Sequence, residues 1–147
     1  MLTGQTSKAS YAERASLWRI NKLKSIALTM LILSLISLPS PNEELAGVLE
    51  GEVLVGGCPP QAAIAAARVW DNRGGTRDGW YGWREPSQIA LAISAVYRLL
   101  PDESQGAQFF IERNDKRNMP FLDDATLISE WQCLNGNVVQ AWLLRSQ

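Results

Sequence analysis

The pattern of apolar and polar residues predicts a first helix over residues 43–55. Its apolar positions follow the three- and four-residue spacing of one helix face, and Glu52 continues that face at the seventh position. Asn42 is suited to cap this helix, because its side chain can accept from the first free N–H groups, and Gly56-Gly57 ends it. The apolar positions are Leu45, Val48 and Leu49.

Two further helices are predicted. Pro59-Pro60 opens the second helix, since proline is tolerated where the first N–H groups have no helical partner. This helix is rich in alanine, so that another element can approach its backbone closely, and Gly74-Gly75 ends it. The third helix starts at Pro86-Ser87 and ends at Pro101. Its predicted buried face consists of Ile89, Ala92, Ile93, Val96 and Leu100.

The C-terminal third of the chain predicts a small β element. GAQFFI, residues 106–111, is a short extended piece, and Asn135-Gly136 between two apolar stretches indicates a hairpin. Asp123 or Asp124 is predicted to cap a fourth short helix or a turn. Trp131, Trp142 and Leu143 are expected in the core. The predicted fold class is α+β and mostly helical, a small domain with a minor β-hairpin.

The first 42 residues differ in character from the rest. They carry a net charge of +4, whereas residues 43–147 carry −5. Residues 1–24 are basic and expected to be flexible, and residues 25–41 are uncharged and strongly apolar. This order is typical of a signal peptide or an uncleaved membrane anchor, with a buried core helix as the alternative. We therefore predict an exported protein of the cell envelope or extracellular space, with its folded domain over residues 42–147.

The composition excludes several kinds of chemistry. The chain has no histidine, which removes Ser-His-Asp and Cys-His catalysis and the commonest zinc ligand. The acidic folded part lacks the clustered positive charge that nucleic-acid binding needs. Cys58 and Cys133 are too few for a metal cage, and they are expected either to form one disulfide or to remain two buried thiols. No metal or other cofactor is predicted.

Glu52 is the candidate catalytic residue. A carboxyl group at the edge of an apolar stripe is partly shielded from water, which favours its neutral form. Such a group can donate a proton to a leaving oxygen. The alternative is that Glu52 lies at the rim of the stripe, or at the helix end, and pairs with an arginine. Glu50 lies on roughly the opposite side of the helix.

Three sequence blocks follow one another in a characteristic order: LAGVLEGE at 45–52, AAIAAARVWDNR at 62–73 and PDESQGAQFFIERND at 101–115. Together they resemble the SleB-type cell-wall hydrolases, the spore-cortex-lytic family of peptidoglycan lytic enzymes. In that family a helix ends in the catalytic glutamate. An alanine- and valine-rich helix ending in Asn-Arg follows, and then a Gly-Ala-x-Phe-Phe strand. The turn after Glu52 is about two residues longer here, and the segment after Asn-Arg is shortened to a Gly/Trp loop.

The resemblance implies a lysozyme-like fold and cleavage of the glycosidic bond between N-acetylmuramic acid (MurNAc) and N-acetylglucosamine (GlcNAc). It carries the acid/base role onto Glu52. A lytic transglycosylase needs only this carboxyl group, because the muramyl 6-hydroxyl displaces the leaving group. A two-carboxylate hydrolase would need a partner across the scissile bond. Asp71 and Asp78 are the only nearby candidates, and neither has a spacing that recommends it.

The predicted substrate-binding residues carry alternatives of their own. The aromatic residues of the loop at 74–86 can stack on sugar rings or pin the loop to the core. The Asn-Arg pair can support the active site or serve as a helix end with a surface charge. One phenylalanine of the strand is expected in the core and the other in the cleft. These residues are Asn72, Arg73, Trp80, Tyr81, Trp83, Gln108, Phe109 and Phe110.

The primary functional prediction is a murein lytic enzyme whose partner is the glycan strand of peptidoglycan. One alternative is a catalytically degenerate relative that binds glycan without cutting it, as the shortened middle segment suggests. The other is a small membrane-anchored interaction protein in which residues 25–41 do the main task.

Overall fold

The computed structural model describes residues 38–145 and, before them, residues 16, 19, 21, 22 and 24–27. The chain forms two compact units, Met1–Leu38 and Pro39–Gln147. In the first unit the described positions are exposed, and those before Leu38 are helical. Most of the predicted basic head and of the predicted leader lies outside the described residues. Among the helices that the structure describes, none has the length and hydropathy to cross a membrane.

Helix α1 (Glu43–Glu52) forms where the sequence predicted it, with Glu52 as its last residue. The side chain of Asn42 accepts from the N–H of Leu45 at 3.0 Å, and acidic residues occupy the positive first turn. The chain continues as a 3₁₀ turn (Leu54–Gly56), and Gly57 ends it in the left-handed conformation. The α-helix therefore stops three residues earlier than predicted, and Glu52 lies at its carboxyl end.

Helix α2 (Pro60–Asn72) is confirmed with its proline start, and five of its alanines are fully buried. Helix α3 (Gln88–Val96) continues as a 3₁₀ turn (Tyr97–Leu99). The predicted face of α3 was right in part: Ile93 is buried, but Ile89 is 60% exposed and Ala92 is exposed as well. The side chains that α3 and its 3₁₀ turn bury are those of Ala90, Ile93, Ser94 and Tyr97.

The phase of α3 is set by polar contacts over long sequence distances. Ser87 caps α3 by accepting from the N–H of Ala90, and its own N–H and hydroxyl both donate to the Glu50 carboxylate. Ser94 is buried because its hydroxyl accepts from the N–H of Asn42 at 3.1 Å. A serine that is paired in this way can replace an apolar residue in the core, so that apolar periodicity alone missed the rotation of the helix.

Three antiparallel strands form one sheet in the order β1-β3-β2: β1 (Phe109–Glu112), β2 (Ala125–Gln132) and β3 (Val138–Leu144). The predicted extended piece is β1, and the predicted hairpin joins β2 to β3 through Asn135-Gly136. Two 3₁₀ helices, Arg113–Asn118 and Pro120–Asp124, connect β1 to β2. Asp123 and Asp124 lie inside the second of these, so the prediction that one of them caps an element was wrong.

Two hydrophobic clusters complete an α+β fold. The larger one packs the helices against one face of the sheet and contains the Cys58–Cys133 disulfide, which answers the question the sequence left open. The smaller one, on the other face, contains the buried Trp142, as predicted. Trp131 is half-buried against the larger cluster, and Leu143 is half-buried at the end of the sheet.

Candidate active site

A cleft of about 260 Å³ opens where the end of α1 faces strand β1. Six of the nine predicted site residues line it: Glu52, Arg73, Trp80, Tyr81, Phe109 and Phe110. They come from the end of α1, the end of α2, the loop at residues 74–86 (the glycine-rich loop) and β1. Residues that are far apart in the sequence thus share one concave surface, which is the usual setting of a ligand or active site.

Glu52 is half-buried at the base of this cleft. Its Oε1 accepts from two successive backbone N–H groups, that of Tyr81 at 2.6 Å and that of Gly82. Among the residues that the structure describes, no arginine or lysine pairs with Glu52 and no hydrogen bond reaches its Oε2. The side chain is therefore oriented through Oε1 alone.

The loop that supplies these N–H groups rests directly on α1 because two helix positions lack a side chain. A Cβ atom on Gly51 would lie 2.7 Å from the backbone carbonyl carbon of Gly82 and 2.7 Å from the backbone nitrogen of Trp83. The Trp83 indole covers Gly47, one turn earlier, and the N–H of Arg84 donates to the Gly47 carbonyl at 3.1 Å. Gly47 and Gly51, at positions i and i+4 of one helix face, leave a flat surface on which the loop packs.

The loop tryptophans hold the loop in place, while its tyrosine is exposed. Trp80 is 6% exposed and stacks on Phe110, with ring centroids 6.4 Å apart. Trp83 lies on the α1 glycines, outside the cleft lining. Tyr81 is 88% exposed at the cleft. Tyr81 is therefore the loop aromatic with a face available to a sugar ring.

The predicted Asn-Arg pair divides between two roles. Asn72 is exposed, and its amide donates to the Ala107 carbonyl at 2.8 Å, so that it ties the end of α2 to the segment before β1. Arg73 lines the cleft, and its guanidinium lies 5.8 Å from the Trp80 ring centroid and donates to the Asp78 carbonyl. Gln108 accepts from the N–H of Leu144 at the sheet end, away from this cleft.

The two phenylalanines of β1 face opposite sides of the sheet, as their alternation predicts. Phe110 packs against the larger cluster, whereas Phe109 contacts Phe121 of the smaller one at 5.0 Å between ring centroids. Both line the cleft at the edge of the sheet, so the expectation that only one would do so was wrong. Phe121 is 51% exposed and also lines the cleft.

The acidic residues on the side of the cleft formed by β1 and the 3₁₀ helix after it, the sheet-side wall, were not predicted from the sequence. Glu112 and Asp115 line the cleft, and neither was considered as a partner of Glu52. The strand alternation that places Phe110 also places Glu112, two residues further on, on the same face. That signal was present in QFFIE but was not used. The view that Asp71 and Asp78 were the only nearby carboxylates was wrong, since neither lines the cleft.

Asp71 instead ties the end of α2 to the turn that follows α3. It accepts from the Tyr97 hydroxyl at 2.8 Å and from two nitrogens of Arg98, each at 2.8 Å. The hydrogen bonds from Arg98 lower the pKa of the Asp71 carboxyl, more than burial raises it. Burial and the hydrogen bond to Asp71 raise the pKa of Tyr97 to about 12. This ionised carboxylate is structural.

Asp71→Asn is expected to lower the free energy of unfolding by about 1 to 2 kcal/mol at neutral pH, allowing for the partial exposure of the pair. Because folding lowers the pKa of Asp71, its contribution is present above the ordinary value of 3.8 and is lost as the pH falls below it. Denaturant unfolding at about pH 7 and about pH 3 measures this, with Asp78→Asn, an exposed acid, as the control. An equal deficit at both pH values would contradict the assignment.

Comparison of the chain with protein-family models, with curated proteins and with solved structures finds no match. The resemblance to SleB-type hydrolases therefore remains a prediction, and the function has to be argued from the site.

Proposed function

We propose that the domain is a murein lytic enzyme that cleaves the MurNAc–GlcNAc bond of peptidoglycan with Glu52 as its acid. The observation that carries the proposal is the placement of Glu52. It ends a buried helix and lines a cleft with aromatic residues on both sides, and only one of its oxygens is engaged.

The geometry suits an acid that must deliver a proton along a fixed direction. The N–H groups of Tyr81 and Gly82 hold Oε1, so that rotation of the carboxyl group is restricted and Oε2 carries the transferable proton. Protonation of the glycosidic oxygen by a positioned side chain contributes about 10²- to 10⁴-fold in rate. In this proposal Glu52 donates its proton to the leaving glycosidic oxygen.

The glycan strand is proposed to lie along the cleft between Tyr81 and Phe121. Both rings are exposed and line the cleft, and flat aromatic faces stack on the apolar faces of sugar rings. Arg73, at the same cleft, offers a donor to the N-acetyl or lactyl oxygens of the strand. The site is supported by Trp80, which is buried in the cleft lining, and by Asn72 and Trp83, which lie outside that lining.

A cell-envelope location and a lysozyme-like arrangement belong to the same proposal. The Cys58–Cys133 disulfide supports export, because such bonds persist in oxidising compartments. The basic head and the apolar run at residues 25–41 support a leader or an anchor. The order of the elements supports kinship with SleB-type enzymes, since α1 ends in the glutamate, α2 in Asn-Arg, and β1 carries the two phenylalanines.

Zymography on a peptidoglycan gel tests the proposal. We expect the wild-type protein and Glu44→Gln to clear the gel and Glu52→Gln to leave it intact. Glu44 is the matched control, since it is an exposed glutamate of the same helix. Clearing by Glu52→Gln as well, or by none of the three, would reject the enzyme. Retention of all three on insoluble murein without release of muropeptides would instead favour the glycan-binding alternative.

A further inference from the structure

The sheet-side wall of the cleft carries a carboxylate that the structure leaves uncommitted. Glu112 is the last residue of β1, half-buried, and lines the same cleft as Glu52. Within residues 38–145 no hydrogen bond or ion pair engages its carboxylate. Of the basic residues that follow it, Arg113 pairs with Glu130 and Lys116 with Asp123.

The register of the sheet directs Glu112 towards the helices. It is paired with Val139, which is buried in the cluster between helices and sheet and also lines the cleft. Phe110, two residues before Glu112, stacks on Trp80 in that same cluster. Residues at i and i+2 of a strand, and residues directly opposite across an antiparallel pair, share one face. Glu112 thus faces the side of the sheet on which Glu52 lies.

Resting on the proposed function, we infer that Glu112 is the second catalytic carboxylate and that the enzyme is a hydrolase. In the reaction, the Glu112 carboxylate takes a proton from a water molecule while the water oxygen bonds to C1 of MurNAc. The bond from C1 to the GlcNAc oxygen breaks, and Oε2 of Glu52 gives its proton to that oxygen. One water is consumed, and the products are a reducing MurNAc end and a free GlcNAc hydroxyl.

The cleft volume is consistent with an attacking water between the two walls. A water molecule occupies about 30 Å³ of liquid volume, a small part of the 260 Å³ available. When an acid and a base act on opposite faces of the sugar with water between them, the configuration at C1 is inverted. The inference therefore also predicts the anomer that forms first.

Digestion of murein in water enriched in the heavy oxygen isotope tests the inference on the unaltered protein. We expect the label at C1 of the new reducing ends and the inverted anomer in early nuclear magnetic resonance spectra. Unlabelled 1,6-anhydro ends would overturn the role of Glu112 and leave the lytic function with Glu52 intact. Absence of any muropeptide would reject the proposed function itself. The two failures are thus distinguishable.

Substitutions of Glu112 test whether it is the base that takes the proton from the attacking water. Glu112→Gln is expected to lower the rate of muropeptide release by about 10²- to 10⁴-fold. Glu103→Gln is the control, because it removes the same charge from an exposed position outside the cleft lining and should change the rate by about twofold or less. Azide should restore cleavage by the Glu112→Ala variant and yield a glycosyl azide. Azide is already an anion, so it can attack C1 without giving a proton to a base. Equal rates for Glu112→Gln and Glu103→Gln would overturn the inference.

Discussion

Removal of the Cys58–Cys133 disulfide is expected to lower the free energy of unfolding by about 4 kcal/mol. The bond joins residues 75 positions apart, and closing a loop of that length removes much of the conformational freedom of the unfolded chain. It also lies beside two main-chain hydrogen bonds, from Leu134 to the Gly57 carbonyl and from Asn135 to the Gly56 carbonyl. The cross-link thus fastens the tip of the β2–β3 hairpin to the segment that follows Glu52.

Denaturant unfolding of the Cys58→Ala/Cys133→Ala variant measures this effect. Both cysteines are buried, so the wild-type protein should be reduced in denaturant before refolding. The reduced wild type and the double variant should have similar midpoints, and reductant should not change the variant. Without the bond, the free energy of unfolding should fall more steeply with denaturant concentration, because a freer unfolded chain exposes more surface. Equal midpoints for the oxidised and reduced proteins would contradict the prediction.

Local chemistry was sufficient to predict helix α1, which carries Glu52, and the β2–β3 hairpin. α1 has its cap, its acidic first turn and its apolar spacing within eleven consecutive residues, and the hairpin has its Asn-Gly turn. Such signals act between neighbours in the sequence, so they can be recognised without knowledge of the fold. The position of Glu52 on the helix face that packs inward followed from the same short-range pattern.

The errors concern features that depend on contacts between distant segments. The rotation of α3 is set by Glu50 and Asn42, which lie 37 and 52 residues from their serine partners. The second wall of the cleft depends on β1 pairing with β3 rather than with β2, and no local pattern decides that order. The alternation in QFFIE gives the face of the strand on which Glu112 lies, but only this pairing places that face beside the cleft.

The glycines of LAGVLEGE show a third kind of limit. Gly47 and Gly51 weaken an isolated helix, because glycine costs about 1 kcal/mol relative to alanine in a helix interior. Their value lies in the loop at residues 79–84 that packs on them, a contact that joins segments about 30 residues apart. The sequence contains the spacing, but only the fold shows what occupies the space.

Gly51→Ala is expected to displace this loop and to disable the site, although alanine favours the helix. The new Cβ atom would lie 2.7 to 2.9 Å from backbone atoms of Gly82 and Trp83, and backbone atoms cannot rotate away as a side chain can. Overpacking of this kind costs about 1 to 3 kcal/mol. It would also move the N–H groups of Tyr81 and Gly82 away from Glu52, and a misplacement of about 1 Å can cost about 10²-fold in rate.

Gly47→Ala is the informative comparison, because its Cβ atom would meet the Trp83 indole, a side chain that is 43% exposed and can swing outward. We expect Trp83→Ala to restore the stability and the murein-lytic rate of Gly47→Ala but not those of Gly51→Ala, as a double-mutant cycle would measure. If Gly51→Ala gained about 1 kcal/mol of stability, as a helix without a covering loop would, and kept the wild-type rate, the loop would have no part in holding Glu52.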